Sequence, residues 1–479
     1  AIENRSNNQL HNTASLEDLS AVVYEGFSTM PKLTKQVKKT SATQTITVND
    51  RFEYDHRQRL KQIYQRHNGL AEQLIGQYNY NKLGQMINKK LHGNGFTFLQ
   101  SVDYRYTIRG WISRINKSDL TPDADDDGVS DLFGIELSYN TVVPGLGNTQ
   151  QYNGAVSALV WKTNDTYSVS STPVVRRSYK LSYDKAGKLK NALYAAESAN
   201  SVWNAEAGGY DERDIRYDHN GNILGLKRYF MASGTSSPVQ IDDLSYTYGY
   251  GNQLQKVEDA SGHSQGFTNN SNETEEYFYD ENGNLVSDKN KGNGTTPMSI
   301  TYNEIGKTSR VDLPGGRYIT YSYAATGERL RKSVYDSNGH IKTQDYIGIF
   351  VYENSELSYF RMAEGRVRNA AGELKYEYNL TDHQGNVRVS FEANGSSARI
   401  IQENHYYPFG LAMKGSIIRT SLQPTANKEL YNGQSELQDD FGDEPNWYST
   451  FFREYDAVLG RFHAIDPMAD KYGSGSPYN

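Results

Sequence analysis

The sequence contains no cysteine, only 12 prolines and only 4 tryptophans. The absence of cysteine excludes disulfide bonds and cysteine-ligated zinc sites. No apolar run approaches the roughly 20 residues that a membrane-spanning helix needs, and the first residues lack the basic-then-apolar order of a signal peptide. Because the net charge is −7 and lysine and arginine form no run, a nucleic-acid partner is not expected. These absences leave a fold that is held together by packing and strand pairing.

Tyrosine and glycine are the residues that the sequence has in quantity. There are 38 tyrosines against 16 phenylalanines, and there are 42 glycines. Tyrosine favours strands and tolerates a half-exposed surface, whereas glycine permits the tight turns between strands. This composition predicts many short strands joined by tight turns.

A Tyr-Asp phrase recurs along the chain and indicates a repeated structural unit. It reads "YDHNGNILGLKRY" from residue 217 and "YDENGNLVSDKN" from residue 279, and Tyr54, Tyr80 and Tyr106 begin related phrases at equal intervals. Each unit has the pattern of a strand, a turn and a second strand. Because a single hairpin is marginal in water, the units are expected to pair edge to edge in a large sheet that coils and closes on itself. The predicted fold class is therefore all-β.

Helix is predicted at only two places, "SLEDLSAVVY" at 15–24 and "QSELQDD" at 434–440. Several polar stretches rich in glycine, serine and asparagine interrupt the hairpin pattern, and such stretches are typical of exposed insertions. They lie at 146–153, 231–240, 259–274 and 290–298.

The Y-D-x-x-G-N-L pattern resembles the Tyr-Asp repeat of Rhs proteins, insecticidal-toxin C subunits and teneurins. The phrases "YTIRGWISRIN", "LTDHQGNVRVSF" and "HYYPFGL" extend the match. The stretch from "YNGQSELQDDFG" to "FREYDAVLGRFHAIDPMADKY" is similar to the Rhs-repeat-associated core of Bacteroidetes-type proteins. The resemblance covers residues 50–479 and implies a strip of β-hairpins that spirals into a hollow, barrel-like shell, or cocoon. In this family the shell encloses a C-terminal cargo that is commonly a toxin.

The resemblance divides the chain into three segments. Residues 1–50 form a lead-in, either a plug or a strand segment, residues 51–375 form the Tyr-Asp-repeat shell, and residues 376–479 form the core. We expect the sequence to be the interior of a longer polypeptide, because it starts without Met in "AIENRSNNQLHN" and stops abruptly at "GSGSPYN". The resemblance further implies a secreted or cell-surface protein, exported with secretion machinery or outer-membrane partners, and a type IX route is one expectation.

The core of such proteins resembles an intramolecular aspartyl protease that severs the cargo from the shell. Asp466 in "GRFHAIDP" and Arg453 in "FREYDAVLGRF" match its aspartate and arginine. A second aspartate, within a D-P-x-G motif, is expected beyond residue 479, and without it Asp466 lacks the partner of an acid–base pair. The alternative is that Asp466 and Pro467 form a turn that Arg453 clasps. Residues 1–479 alone are therefore not expected to be an enzyme, and aspartyl-type self-cleavage stays open for a longer polypeptide.

The stretch "DADDDGVSD" at 123–131 matches the first positions of a calcium loop. Alternate carboxylates converge on one hard cation, and Gly128 permits the sharp turn. The spacing predicts Ca²⁺ ligands at Asp123, Asp125, Asp127, Asp131 and the carbonyl of Val129. Gly134 stands where an EF-hand has a bidentate glutamate, so the loop is closer to shorter calcium loops. The alternative is an acidic loop that is simply solvated.

Three functions remain open at this point. The first is a structural shell around the polypeptide's own C-terminal effector or toxin. The second is a cell-surface adhesin that binds glycans or a protein partner through a tyrosine-rich surface, although the same tyrosines would serve equally as cross-strand packing pairs. The third and weakest is a glycosidase, because no acidic residues occur in a recognisable paired context.

Overall fold

The chain is almost entirely antiparallel β-structure, which confirms the predicted fold class. The structure, a computed structural model, describes residues 2–7, 17–24, 31–39, 45–95, 97–122, 128–164, 176–198, 200–232, 235, 237–414, 426–433, 435–442, 444–471 and 475–479. Across those ranges there is no α-helix, and no helix is long and apolar enough to cross a membrane. Short 3₁₀ turns occur at Tyr250–Asn252, Pro314–Gly316 and Ala469–Lys471.

The strands are numbered in chain order, and most have between three and ten residues. They are β1 (Ile2–Asn7), β2 (Glu17–Tyr24), β3 (Pro31–Lys39), β4 (Thr45–Tyr54), β5 (Leu60–His67), β6 (Gln73–Tyr80), β7 (Met86–Asn94), β8 (Thr97–Tyr106), β9 (Ile112–Ile115), β10 (Phe133–Ser138), β11 (Ala158–Thr163), β12 (Arg177–Tyr183), β13 (Leu189–Glu197), β14 (Trp203–Ala205), β15 (Glu212–Tyr217), β16 (Ile223–Phe230), β17 (Val239–Tyr248), β18 (Leu254–Asp259), β19 (Tyr277–Tyr279), β20 (Leu285–Asp288), β21 (Met298–Tyr302), β22 (Thr308–Leu313), β23 (Arg317–Tyr323), β24 (Arg329–Asp336), β25 (Gly339–Ile347), β26 (Phe350–Glu353), β27 (Glu356–Met362), β28 (Gly365–Ala370), β29 (Glu373–Thr381), β30 (Val387–Asn394), β31 (Ser397–Glu403), β32 (Glu429–Tyr431), β33 (Ser435–Gln438), β34 (Trp447–Ser449), β35 (Glu454–Asp456) and β36 (Arg461–Phe462).

The chain folds into two units, and each unit is built from three segments that are not contiguous in sequence. Unit 1 comprises residues 1–132, 347–379 and 391–400, and unit 2 comprises residues 133–346, 380–390 and 401–479. In unit 1, each strand from β1 to β9 pairs with the next one along the chain. In unit 2, consecutive pairing runs through β10–β13 and β15–β18, again through β19–β25, and finally through β32–β36. Each unit is thus built from meandering hairpins, as the repeated phrase predicts.

Both helix predictions are wrong. Glu17–Tyr24 is strand β2, which pairs with β1 and β3, and Ser435–Gln438 is strand β33. Each segment carries a helix-start signal but lies between strands that supply its backbone hydrogen-bond partners. Pairing with neighbours therefore overrides the local preference.

In the full phrases that begin at Tyr217 and Tyr279, the Asp, Gly and Asn build the turn of the hairpin. In the turn between β15 and β16, Oδ1 of Asp218 accepts the backbone N–H of Asn222 at 2.8 Å, and Oδ2 accepts its side-chain amide at 2.7 Å. Gly221 has φ +89°, a conformation that side chains other than glycine's rarely adopt. Asp280 and Asn284 form the same two bonds, at 2.8 and 2.9 Å. The phrase recurs because each copy closes one hairpin.

The Tyr of the phrase joins one hairpin to its neighbour. The hydroxyl of Tyr217, at the end of β15, donates to the carbonyl of Leu189, the first residue of β13, at 2.8 Å. The acceptor lies six residues after the Tyr of the preceding phrase. The same bond forms at Tyr80 with Leu60, Tyr106 with Met86, Tyr248 with Ile223 and Tyr302 with Leu285. At these five positions the constant spacing places a tyrosine hydroxyl on the carbonyl, whereas Tyr279 accepts the backbone N–H of Leu254 at 3.2 Å. These bonds join successive hairpins.

All four stretches that were predicted to be exposed insertions contain buried residues: Leu146 and Asn148 are buried in the first, and Met231 is buried in the second. Phe267, within 259–274, is 7% exposed and belongs to the core of unit 2. Asn290, within 290–298, is 1% exposed and donates its amide to Oε2 of Glu276 at 2.7 Å. The polar composition misled the prediction, because these segments bury polar groups that bond to one another.

Candidate functional site

The C-terminal part of unit 2 forms a small sheet, β32–β36, that packs onto the hairpins. Trp447, Val458 and Leu459 are buried and belong to the same apolar cluster as the hairpin residues Leu244, Ile300 and Val311. A second cluster joins Tyr406, Leu430, Tyr448, Tyr455 and Ala457. Burial of these side chains fixes the core segment against the hairpins.

Arg453 and Asp466, the two residues that the sequence singles out, lie together. Nη2 of Arg453 donates to Oδ2 of Asp466 at 2.7 Å. The Arg453 side chain is 9% exposed and that of Asp466 is 32% exposed. The guanidinium carbon lies 3.7 Å from the centre of the Phe462 ring. Burial lowers the pKa of Arg453, and the charge of Asp466 opposes that change.

The surroundings of Asp466 match the turn-and-clasp alternative. Oδ1 of Asp466 accepts the backbone N–H of Met468 at 2.7 Å, which is a turn bond. The backbone N–H of Asp466 donates to the carbonyl of Pro477 at 2.9 Å, and Nη1 of Arg453 donates to the same oxygen at 3.2 Å. The pair thus holds the segment around Pro477 in place. An acid–base mechanism would need a second carboxylate beside Asp466.

The last residues of the chain are bonded to the turns of two hairpins. The backbone N–H of Ser476 donates to the carbonyl of Asn220 at 2.7 Å, and the Asn479 amide donates to that of Gly221 at 2.9 Å. The Tyr478 side chain is fully buried, and its hydroxyl donates to the carbonyl of Gly283 at 2.8 Å. Residues 476–479 are therefore anchored at the turn edge of the hairpins.

Two buried acidic residues with raised pKa values, Glu454 in the core and Asp288 in a neighbouring hairpin, carry no sequence pattern that would predict them. Burial raises the pKa of Glu454, in β35, to about 7, against the charge of Arg329. Burial likewise raises the pKa of Asp288, at the end of β20, to about 6. The nearest sequence signal is the Tyr-Asp phrase at Tyr455: Asp456 follows Glu454 by two residues, and its charge acts on Asp288.

The calcium prediction falls mostly outside the described residues, which do not include Asp123, Asp125 and Asp127. Gly128, which is described, has φ +80°. The loop end is tied down by Gln100, whose amide donates to the carbonyl of Ser130 at 3.0 Å. Within the described ranges, no group of three or more acidic, histidine or cysteine side chains is placed to hold a metal. The ligand set of the loop, with Val129 and Asp131, stays a prediction.

No protein-family profile matches the chain, and no curated protein matches it in sequence. Among solved structures, it is similar to a Photorhabdus luminescens Tc holotoxin pore with a mutated TccC3, at 13% identity and a TM-score of 0.31, over 97% of this chain and 26% of the solved chain. It is also similar to the TcdB2–TccC3 complex, at 13% identity and a TM-score of 0.30, over 100% of this chain and 31% of the solved one. The same complex without its hypervariable C-terminal region matches at 13% identity and a TM-score of 0.30, over 100% and 30% of the two chains. The chain thus spans less than a third of the solved chains that it matches, and because identity and TM-score are low, the functional proposals rest on its own residues.

Proposed function

We propose that this chain is a structural shell segment of a secreted or surface-exposed Rhs-type protein that encloses a C-terminal effector. One observation carries the proposal: residues 476–479 are bonded to the turns at Gly221 and Gly283, which belong to two successive runs of paired hairpins, β15–β18 and β19–β25. Any polypeptide joined at Asn479 would leave from a fixed point on this wall.

The hairpin wall itself supports the proposal. Hairpins such as β15–β16 are closed by the Asp-Gly-Asn turn and joined to their neighbours by a tyrosine hydroxyl, so the wall grows by repetition. Such a wall can extend without a limit set by core volume, which suits a container for another domain. We also propose, as part of this function, that a cargo follows the core and that the protein is exported with the help of secretion partners.

The exposure of the tyrosine side chains supports the adhesin alternative less well than it supports the shell. Within the described part of the chain, Tyr152 and Tyr250 are the tyrosines with largely exposed rings, at 66% and 97%. The others are buried or half-buried, and many donate their hydroxyl to a backbone carbonyl, as Tyr217 and Tyr248 do. Tyrosine therefore serves packing, and a stacking surface for sugars would need other residues.

Self-cleavage is the second part of the proposal and concerns a longer polypeptide. Arg453 bonds to Asp466 beside the anchored segment, where a second aspartate from the following chain could complete an acid–base pair. The test is to express the chain together with its following sequence and to compare its intact mass with that of Asp466→Asn. Two fragments from the wild type and one from the variant would support self-cleavage.

A single full-length species from both proteins would remove the protease role and leave Asp466 as a turn residue. The container itself is tested separately, by exposing the uncleaved variant to protease. Protection of the following domain supports enclosure, whereas its rapid digestion beside an intact shell contradicts it.

A further inference from the structure

Lys291 and Asp456 form a buried pair that joins a hairpin to the core within unit 2. Lys291 lies just after β20, and Asp456 is the last residue of core strand β35. The Nζ atom of Lys291 is 2.9 Å from Oδ2 of Asp456, and the side chains are 17% and 0% exposed. An amine and a carboxyl are thus in contact where bulk water is largely excluded.

The two oxygens of Asp456 have different surroundings. Oδ1 accepts the backbone N–H groups of Val458 and Leu459, at 2.9 and 3.1 Å. Two such donors stabilise negative charge that develops on an oxygen when the carbon it is bonded to is attacked. Oδ2 faces Lys291 instead. Oδ1 is therefore held as the oxyanion of a tetrahedral intermediate would be, and Oδ2 lies beside the ammonium group that can protonate it as a leaving group.

Asp288 contributes a further carboxyl group to the cavity that Lys291 and Asp456 line. Its Oδ1 accepts the backbone N–H groups of Asn290 and Lys291 at 2.8 and 3.0 Å, which fixes the turn that carries Lys291. Asp288, Lys291 and Asp456 line one cavity of about 250 Å³. Burial raises the pKa of Asp288 to about 6, with Lys291 opposing the shift and Asp456 adding to it. A group that titrates near neutrality can relay protons between an amine and a leaving oxygen.

We propose that Lys291 and Asp456 condense into an intramolecular isopeptide bond that links the hairpin wall to the core. One proton moves from the Lys291 ammonium to Oδ2 of Asp456, directly or by way of Asp288, which leaves a neutral amine and a neutral acid. The amine nitrogen attacks Cγ of Asp456, the C–N bond forms, and negative charge gathers on Oδ1 while the nitrogen becomes positively charged. That nitrogen then gives a second proton to Oδ2, the bond between Cγ and Oδ2 breaks, and Oδ2 leaves as water. One water is lost, and nothing is oxidised or reduced.

The neighbours of the pair favour the reaction geometry. The Pro445 carbonyl accepts a hydrogen bond from Nζ of Lys291 at 2.8 Å, and the Trp447 ring centre lies 5.8 Å from Nζ. Nε2 of His463 is 3.8 Å from Oδ2 of Asp456. Burial lowers the pKa of His463, so its neutral ring can accept a proton. These groups orient the amine and offer its protons a second path.

The ion pair is the starting state of the reaction. Burial acts to raise the pKa of Asp456, but Lys291 and His463 outweigh it and hold that pKa below its usual range. Attack therefore waits for proton transfer within the pair. In a buried site the neutral amine and acid compete with the charged pair, because both charges have lost their hydration.

A second buried pair in unit 2 serves as an internal comparison. The Nζ atom of Lys332 is 3.1 Å from Oδ2 of Asp440, but Oδ1 of Asp440 is 2.7 Å from a second ammonium group, that of Lys342. Lys332 also contacts Oε1 of Glu436 at 3.1 Å. An ammonium group faces each oxygen of Asp440, whereas one lysine faces Asp456, so one proton transfer leaves Asp440 still beside a cation. This pair is expected to remain an ion pair.

The test is the intact mass of the purified chain, measured after denaturation. Wild-type protein is expected to weigh one water molecule less than its sequence mass, and tryptic digestion is expected to yield one branched peptide that contains residues 291 and 456. Lys291→Arg keeps the charge but cannot form this amide, so its mass should equal the sequence mass. Asp288→Asn keeps both reacting groups and should slow or abolish the loss of water.

Lys332→Arg is the matched control and should leave the deficit in place. A wild-type mass equal to the sequence mass, unchanged after prolonged incubation of folded protein at neutral pH, would overturn the proposal. A deficit that persists in Lys291→Arg would also overturn it, because the water would then come from another site. If Lys291→Arg fails to fold, the branched peptide in the wild type decides the question by itself.

Discussion

Tyr478 donates its hydroxyl to the carbonyl oxygen of Gly283 at 2.8 Å, with its side chain fully buried. This bond has the same form as the tyrosine bonds that join neighbouring hairpins, such as that from Tyr217 to Leu189. The end of the core is thus fixed to the hairpins by the same kind of bond, from a tyrosine hydroxyl to a backbone carbonyl, that joins one hairpin to the next. Anchoring residue 478 in this way sets the point where any following chain would leave.

Removing the Tyr478 hydroxyl is expected to loosen this anchor. Tyr478→Phe keeps the buried ring and loses one hydrogen bond, which contributes about 1 kcal/mol. Hydrogen–deuterium exchange should then be about fivefold faster across residues 475–479, with β15–β16 unchanged. Tyr250→Phe is the control, because the Tyr250 ring is 97% exposed. Equal exchange in Tyr478→Phe and wild type would show that packing alone holds the end.

The hairpin architecture could be predicted from the sequence because its determinants are local. Each turn depends on residues within one phrase, as Asp218 and Asn222 show, and each tyrosine bond recurs at a constant spacing. The helix predictions were wrong for the converse reason. Glu17–Tyr24 and Ser435–Gln438 are strands because distant residues pair with them, and no local pattern records that pairing.

The Asp of the phrase is expected to contribute measurably to stability. Asp218→Ala removes the acceptor of both the backbone N–H and the side-chain amide of Asn222, a buried residue. The expected loss is about 1–2 kcal/mol, read as a lower denaturation midpoint of unit 2. Asp184→Ala is the matched comparison, because Lys188 stands where Asn222 does, so only backbone bonds are lost. A larger loss at Asp184 would contradict this account of the phrase.

The candidate site was only partly predictable. Arg453 and Asp466 lie in recognisable motifs, and in the structure Nη2 of Arg453 is 2.7 Å from Oδ2 of Asp466. Glu454, Asp288 and Lys291 carried no signal, because their properties come from burial among residues far away in sequence. The stretch at 290–298 was even predicted to be exposed on its polar composition, yet Lys291 reaches Asp456 there. Burial of polar groups depends on tertiary contacts and cannot be inferred from composition.

The stability of unit 2 is expected to fall as pH rises through neutrality, because of Glu454. Burial raises its folded-state pKa to about 7, above the ordinary value for glutamate. A group with a raised folded pKa contributes stability that is fully present below the unfolded pKa and is lost as pH rises through the folded pKa. Between pH 5 and pH 8 the loss is on the order of 2 kcal/mol. Denaturation midpoints measured across this range test the prediction.

Glu454→Gln should flatten this pH dependence and stabilise the protein at pH 8. Glu281→Gln is the control, because Glu281 is exposed at a turn. Glu436 should behave in the opposite sense: despite burial, Lys332 and Arg329 lower its pKa to about 2, so its contribution is lost only as pH falls towards that value. An unchanged slope between pH 5 and pH 8 in Glu454→Gln would assign the effect to another group.

Calcium is expected to stabilise the chain through the loop at 123–131. Loops of this kind outside cells bind Ca²⁺ with dissociation constants of roughly 10⁻⁴–10⁻³ M, so Ca²⁺ at about 10 mM adds about 1.4–2.7 kcal/mol. The melting temperature should therefore rise at that Ca²⁺ concentration and fall back with a chelator, whereas Mg²⁺ at equal concentration should do less. Asp125→Asn with Asp127→Asn should abolish the response, and Asp119→Asn, in the preceding turn, should preserve it. An equal response in the double variant would mean that calcium acts elsewhere and that the acidic loop is only solvated.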